Sequence, residues 1–177
     1  MITLYDAARC PFCARVRIVL AEKGVPYEPV EIDLSNRPSW LYEKNPAGKV
    51  PVLEEDTLVL PESAVIMEYL EERYPEPALF PSDPAQRALE RLRIDRFDGD
   101  LGDDYYAFRR RDENALVERL QKFDPPPYGL AAIAYVPWII RARDALGLEL
   151  PAQVDEWLAE LAERPAVREE LEVVAAL

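Results

Sequence analysis

ARCPFCARV, residues 8–16, sets two cysteines three positions apart with a proline between them, and they are the only cysteines in the chain. The stretch follows a short β-prone run at residues 2–5. It opens a segment, residues 12–23, whose apolar side chains at Phe12, Val16, Val19 and Leu20 recur with helical spacing until Gly24 stops it. Cys10 therefore falls where a strand hands over to a helix. There, unpaired N–H groups and the positive end of the helix dipole favour thiolate, and Arg9 adds a neighbouring cation. Cys13, one turn on, lies on the same side and reads two ways: as a resolving thiol that closes a two-residue-loop disulfide, or as a small buried apolar residue. Two thiolates make a poor metal site, because without histidine the other ligands must be carboxylates or come from a second chain. A purely structural disulfide is also a weak reading, since so short a loop constrains little. Cys-x-x-Cys between strand and helix reads instead as a thioredoxin-like redox motif.

Outward from this motif, YEPVEIDL (27–34) alternates Val30, Ile32 and Leu34 with Glu31 and Asp33, which predicts a half-buried strand; Pro29 cannot donate to a ladder and puts it at a sheet edge. A short helix is expected at 40–44. NPAGKVPVLEEDTLVLPES (45–63) reads as loop, strand, tight turn and strand, and helical spacing returns over 63–73 at Val65, Ile66, Tyr69 and Leu70. The order is βαβαββα. YPEPALFPSDP (74–84) then packs four prolines into eleven residues. The expected organisation is an α/β domain at 1–74, a Pro-rich linker at 75–83 and an all-α domain at 84–177. In the last, Leu89, Leu92, Phe97, Leu101, Tyr105 and Phe108 predict one apolar stripe, weakened at Gly99 and Gly102. Further helices are expected at 115–123, 130–146, 152–162 and 165–173. Asp95, Asp98, Asp100, Asp103 and Asp104 read as a solvated face rather than a metal site. Trp138 reads as core, and Tyr105, Tyr106 and Phe108 as candidates to line a pocket.

Composition narrows the function classes. The chain has 177 residues, enough to bury a core, and a net charge of −13, which repels phosphate backbones and anionic membranes. The longest apolar run, residues 130–140, is too short and too broken by Pro137 to cross a bilayer. Residues 1–10 lack the basic-then-apolar pattern of a secretory signal. A soluble, cytoplasmic protein with no nucleic-acid or membrane partner is the expectation. The absence of histidine removes the Ser-His-Asp triad, the Cys-His pair and every imidazole ligand. Six glycines include no phosphate-cradling loop.

Two further signals fit the cysteine motif. In KVPVL (49–53), a proline at a strand start facing a Cys-bearing helix is where a thioredoxin fold holds a cis peptide. The residue before it, Val50, would then offer its N–H and C=O to an extended peptide. In PESAVIMEYL (61–70), Glu62 and Ser63 begin a helix. Ser63 reads either as an ordinary N-cap or, with the helix N–H groups, as a carboxylate site beside which Glu62 takes an ammonium.

CPFC, KVPVL and ES in this order, with the proline linker and the helical second half, resemble the cytosolic glutathione transferase family. VRIVLAEKGVPYE, PAGKVPVL, ESAVIMEYLEERYP and ERPAV carry the same likeness. The resemblance implies a thioredoxin-like domain that binds glutathione as cosubstrate, and a helical domain with an apolar pocket for a small electrophilic or disulfide substrate. It implies that Val50, beside cis-Pro51, pairs with the cysteinyl backbone of glutathione. Glu62 and Ser63 would hold the γ-glutamyl end, and Lys49 the glycyl carboxylate. Cys10 matches the catalytic cysteine of omega-like members, which favours thiol transfer over aromatic conjugation; Cys13 is more glutaredoxin-like and keeps a dithiol mechanism open. Tyr5 is a lesser candidate for activating the glutathione sulfur. The family usually dimerises, so a homodimer is among the expectations. Its sixth helix usually begins with a Ser/Thr-x-x-Asp capping box, but Gly129-Leu130-Ala131-Ala132 stands here with both polar members gone. The chain also resembles stringent starvation protein A, a non-catalytic partner of RNA polymerase that generally lacks the active thiol. Another low-molecular-weight thiol in place of glutathione is the third alternative.

Overall fold

A computed structural model describes residues 1–110 and 115–177; residues 111–114 of the all-α domain expected at 84–177 lie outside the described residues. Two compact units are present, Met1–Ala78 with Leu177, and Leu79–Ala176.

The first unit runs β1 (Ile2–Asp6), α1 (Pro11–Glu22), β2 (Tyr27–Glu31), α2 (Leu41–Lys44), β3 (Val52–Glu55), β4 (Leu58–Pro61) and α3 (Ser63–Arg73), in the order that the hydrophobic spacing predicts. The sheet order is β2-β1-β3-β4, with β1 parallel to β2 and antiparallel to β3, and β3 antiparallel to β4. Pro29 sits in the edge strand, where its missing N–H costs no ladder bond. That strand ends earlier than its alternation predicts. Ile32 is buried and its N–H still reaches the Asp6 carbonyl, but the Asp33 carboxylate then accepts from the N–H and hydroxyl of Ser35. This local side-chain turn competes with the ladder and wins. The core gathers Leu4, Val16, Leu20, Leu53, Ile66, Met67 and Leu70, all fully buried, with α1 packed on α3. Two partly or wholly buried ion pairs brace it, Arg17 with Asp6 at 2.6 Å and Lys23 with Glu71. Lys23 also donates to the Pro77 carbonyl, next to a second cis peptide at Glu76–Pro77.

The second unit contains α4 (Pro84–Asp95), a π-helical turn (Asp98–Gly102), α5 (Asp103–Arg109), α6 (Ala115–Lys122), α7 (Leu130–Asp144), α8 (Ala152–Leu161) and α9 (Pro165–Ala175). Its centre is α7, buried continuously over residues 130–142, with Tyr135 and Trp138 the largest inward side chains. The single stripe expected over α4 and α5 does not form. Phe97, Leu101 and Tyr105 are buried, whereas Leu89 and Leu92 are 57% and 41% exposed. A π turn takes an extra residue per turn, so it resets the helical phase between the two sets. Asp100 accepts from the Tyr135 hydroxyl at 3.1 Å and Asp104 pairs with Arg119 at 2.7 Å, while Asp95, Asp98 and Asp103 face solvent. No helix among the described residues is long and apolar enough to cross a membrane.

The missing capping box of α7 is replaced from a distance. Leu130 N–H donates to the Leu79 carbonyl and Ala131 N–H to the Glu90 carboxylate of α4, both at 3.2 Å. Gly129 is what lets them approach. A Cβ there would sit 2.8 Å from the Leu79 carbonyl oxygen and 3.3 Å from both Glu90 carboxylate oxygens. A serine or threonine cap and this arrangement exclude each other.

Candidate active site

The sheet register gathers the predicted residues at one edge. Tyr5 pairs with Val52, and Val52 with Pro61, so the end of β1, the start of β3 and the end of β4 lie side by side. Cys10 follows the first, Val50 and Pro51 precede the second, and Glu62 and Ser63 follow the third.

Cys10 is the N-cap residue of α1, extended at φ −84°, ψ 116°, with Pro11 in the first turn, where its missing N–H costs nothing. A turn in which Cys10 N–H donates to the Ala7 carbonyl at 2.8 Å fixes its approach. Its sulfur lies 3.9 Å from the Val50 carbonyl. The Val50–Pro51 peptide is cis, and the Val50 N–H has no partner among the described residues. Both backbone groups of Val50 are thus set as a short strand edge beside the thiol.

The two thiols are free, and their surroundings push them apart. The Cys13 thiol donates to Cys10 sulfur and, with the N–H groups of Cys13 and Phe12, lowers Cys10 to about 7 against the opposing effects of burial and Asp6. Burial raises Cys13 well above the ordinary thiol value, and the neighbouring Cys10 adds to this. One thiol is near its pKa at neutral pH while the other keeps its proton. Arg9, expected to supply the cation, is exposed; the hydrogen bonds from Cys13 and the helix start account for the lowering.

Ser63 departs from the reading as an ordinary N-cap. It is the first residue of α3 rather than its N-cap, and its Oγ accepts from the Arg15 guanidinium of α1 at 3.2 Å. Arg15, which the sequence does not mark as a site residue, thereby ties the start of α3 to the Cys10 helix. The N-cap is Glu62, whose side chain is exposed and makes no cap bond, so the first N–H groups of α3 have no side-chain acceptor at that position. Glu62 is held at φ 71°, ψ 108°, a region that costs a side-chain-bearing residue about 1–3 kcal/mol.

Lys49 is exposed in the loop before cis-Pro51. Asn45, also missed in the sequence, shapes that loop: its side chain donates to the Lys49 carbonyl at 3.0 Å and accepts from Ala47 N–H at 3.1 Å. Gly48 turns the chain at φ 60°, and a Cβ there would fall 2.5 Å from the Tyr42 ring. Tyr5 is not set to activate a sulfur. Its hydroxyl donates to Glu54 at 2.7 Å, Lys44 holds the same carboxylate, and burial together with Glu54 raises the phenol above its ordinary value.

The glutathione S-transferase N-terminal domain profile matches residues 4–78. Among solved structures, glutathione transferase Omega 1C of Trametes versicolor is 30% identical, covers 99% of this chain and 87% of its own, and superposes with a TM-score of 0.71. The chain belongs to the glutathione transferase family. Curated relatives of this chain include pyrimidodiazepine synthase of Drosophila melanogaster, 45% identical over 106 residues (58% of this chain, 44% of the relative). Mouse glutathione S-transferase omega-1 is 43% identical over 97 residues (54% and 40%). The stringent starvation protein A homolog of Haemophilus influenzae is 47% identical over 100 residues (56% and 47%). The match thus spans less than half the length of these relatives.

Proposed function

We propose that this transferase-family chain binds glutathione at the strand edge beside cis-Pro51 and transfers thiols through a Cys10 thiolate. The lowered Cys10 thiol, 3.9 Å from the Val50 carbonyl, carries the reading. Glutathione has two peptide-like groups flanking its cysteine. Val50 would pair with that backbone, Glu62 and the open start of α3 would take the γ-glutamyl ammonium and carboxylate, and Lys49 the glycyl carboxylate. In the first step the Cys10 thiolate attacks the glutathionyl sulfur of a mixed disulfide. A Cys10–glutathione disulfide forms, and the other half leaves as thiolate. A second glutathione thiolate then attacks the glutathionyl sulfur of that disulfide, releasing oxidised glutathione and Cys10 thiolate. Cys13, buried and protonated, supports the cycle as a donor to Cys10 sulfur rather than by resolving it.

The exposed Leu89 and Leu92 on α4 are apolar surface of the kind that subunits cover, and support a homodimer. Two free thiols and a thiol-transfer chemistry are in keeping with a reducing cytoplasm. Titration of glutathione into the reduced protein by calorimetry tests the site. Saturable binding that falls in Glu62→Ala and Ser63→Ala is expected. Absence of binding, with capture of RNA polymerase instead, would transfer the function to the interaction reading suggested by the stringent starvation protein A relative.

A further inference from the structure

The sheet has a second side at the edge that carries Cys10. The proposed glutathione residues follow or precede β3 and β4, whereas β2 flanks β1 on the opposite side. There a cavity of about 410 Å³ is lined by Ala7, Arg9, Glu31, Asp33, Leu34 and Ser35. Arg9 is joined directly to Cys10, and Ala7 accepts the Cys10 N–H, so the cavity borders the turn that presents the thiol.

Its lining is built rather than incidental. Glu31 accepts from Ala8 N–H at 3.2 Å, which fastens the thiol-bearing turn to the end of β2. Asp33 Oδ1 takes the N–H and hydroxyl of Ser35 at 2.8 and 2.6 Å, which holds the carboxylate in one orientation. Those bonds, with Arg9 nearby, keep the Asp33 carboxyl below its ordinary range, so it is ionised at neutral pH. Arg9 makes no ion pair among the described residues. A cation and two anions on one rim, with Leu34 between them, suit a ligand that bears both charges on a short apolar stem.

We infer that the β2-side cavity receives the half of the disulfide that leaves, and that Arg9 and Asp33 select a leaving thiol of the α-amino-acid class. This rests on the glutathione reading above. The Cys10 thiolate attacks the glutathionyl sulfur, the S–S bond breaks, and the electron pair departs on the amino-acid sulfur, which takes a proton from solvent. Arg9 would hold the α-carboxylate of that thiol and Asp33 its ammonium.

The test compares two mixed disulfides of glutathione, one with cysteine and one with the uncharged mercaptoethanol, as the ratio of their kcat/KM values. One charge-assisted contact of this kind is worth about tenfold, so the wild type should prefer the cysteine disulfide and the ratio should fall about tenfold in Arg9→Ala and in Asp33→Asn. The fall should appear chiefly in KM for the cysteine disulfide, because the contacts are to the stem and not to the reacting sulfur. Asn keeps an oxygen for Ser35, so Asp33→Asn removes charge without opening the turn. Turnover of both disulfides with no preference, or a ratio unmoved by either variant, would overturn the inference and leave the glutathione reading standing. Failure of the wild type to turn over either one would overturn both.

Discussion

The helices α7 and α1 both begin without a capping side chain of their own, and they use the surplus N–H groups differently. At α7 the Leu79 carbonyl and the Glu90 carboxylate take them, with Gly129 clearing the space. At α1 the N-cap is Cys10, whose side chain forms no cap bond as a thiol, while the N–H groups of Phe12 and Cys13 favour its thiolate. A helix start satisfied by a remote acceptor is structure. One left facing a reactive sulfur at a strand edge is the place where chemistry can occur.

That contrast can be broken at several points. The largest effect is expected at Cys10→Ser, where reduction of a glutathione mixed disulfide should fall by about 10³-fold or more, as when a nucleophile is removed from a group that acts as a unit. Circular dichroism should show the fold unchanged. Next, Cys13→Ala removes the leading cause of the Cys10 shift. The rate of alkylation at pH 7 should drop about tenfold as the Cys10 pKa climbs back toward the ordinary thiol value; an unmoved profile would assign the shift to the helix start alone.

At the other helix, Glu90→Ala strips the α7 acceptor and should cost about 1 kcal/mol of stability, measured by urea unfolding, as for loss of a helix cap. It should leave Cys10 alkylation as in the wild type. Smallest of all is the stability change at Glu62→Gly. Glycine accepts φ 71° without the side-chain penalty but adds freedom to the unfolded chain, so the two terms nearly cancel. Glutathione affinity should nevertheless fall, which would separate a residue kept for binding from one kept for folding.

Much of the first unit was legible because local signals agreed with one another. Helical spacing from Phe12, the stop at Gly24, the edge proline Pro29 and the paired strands around Asp56 each needed only neighbouring residues. The cis peptide before Pro51 followed from the likeness of the Cys-x-x-Cys and KVPVL signals to a thioredoxin fold. What escaped were partnerships across the fold. Arg15 meets Ser63 and Glu90 meets Ala131 through residues 48 and 41 positions apart, and no periodicity announces them. Tyr5 looked available as a hydroxyl because nothing near it in sequence shows that Glu54 and Lys44 use it. The early end of β2 was a contest between a ladder and the Asp33 turn that composition alone does not decide. In the second unit the π turn shifted the helical phase, so Leu89 and Leu92 fell outside the stripe to which a continuous helix would assign them.

The asymmetry between the thiols also sets a dependence on pH. The Cys10 pKa is lower in the folded protein, so its contribution to stability is present above the ordinary thiol value and is lost as pH falls through about 7. The Cys13 pKa is raised, so its contribution is present below the ordinary thiol value and is lost at higher pH. The most direct test of the whole account is the pH profile of Cys10 alkylation by iodoacetamide in the Cys13-intact protein, followed by mass spectrometry of the modified residue. Modification at Cys10 alone is expected, with a midpoint near pH 7. A midpoint near that of an ordinary cysteine, or equal labelling of Cys13, would contradict it.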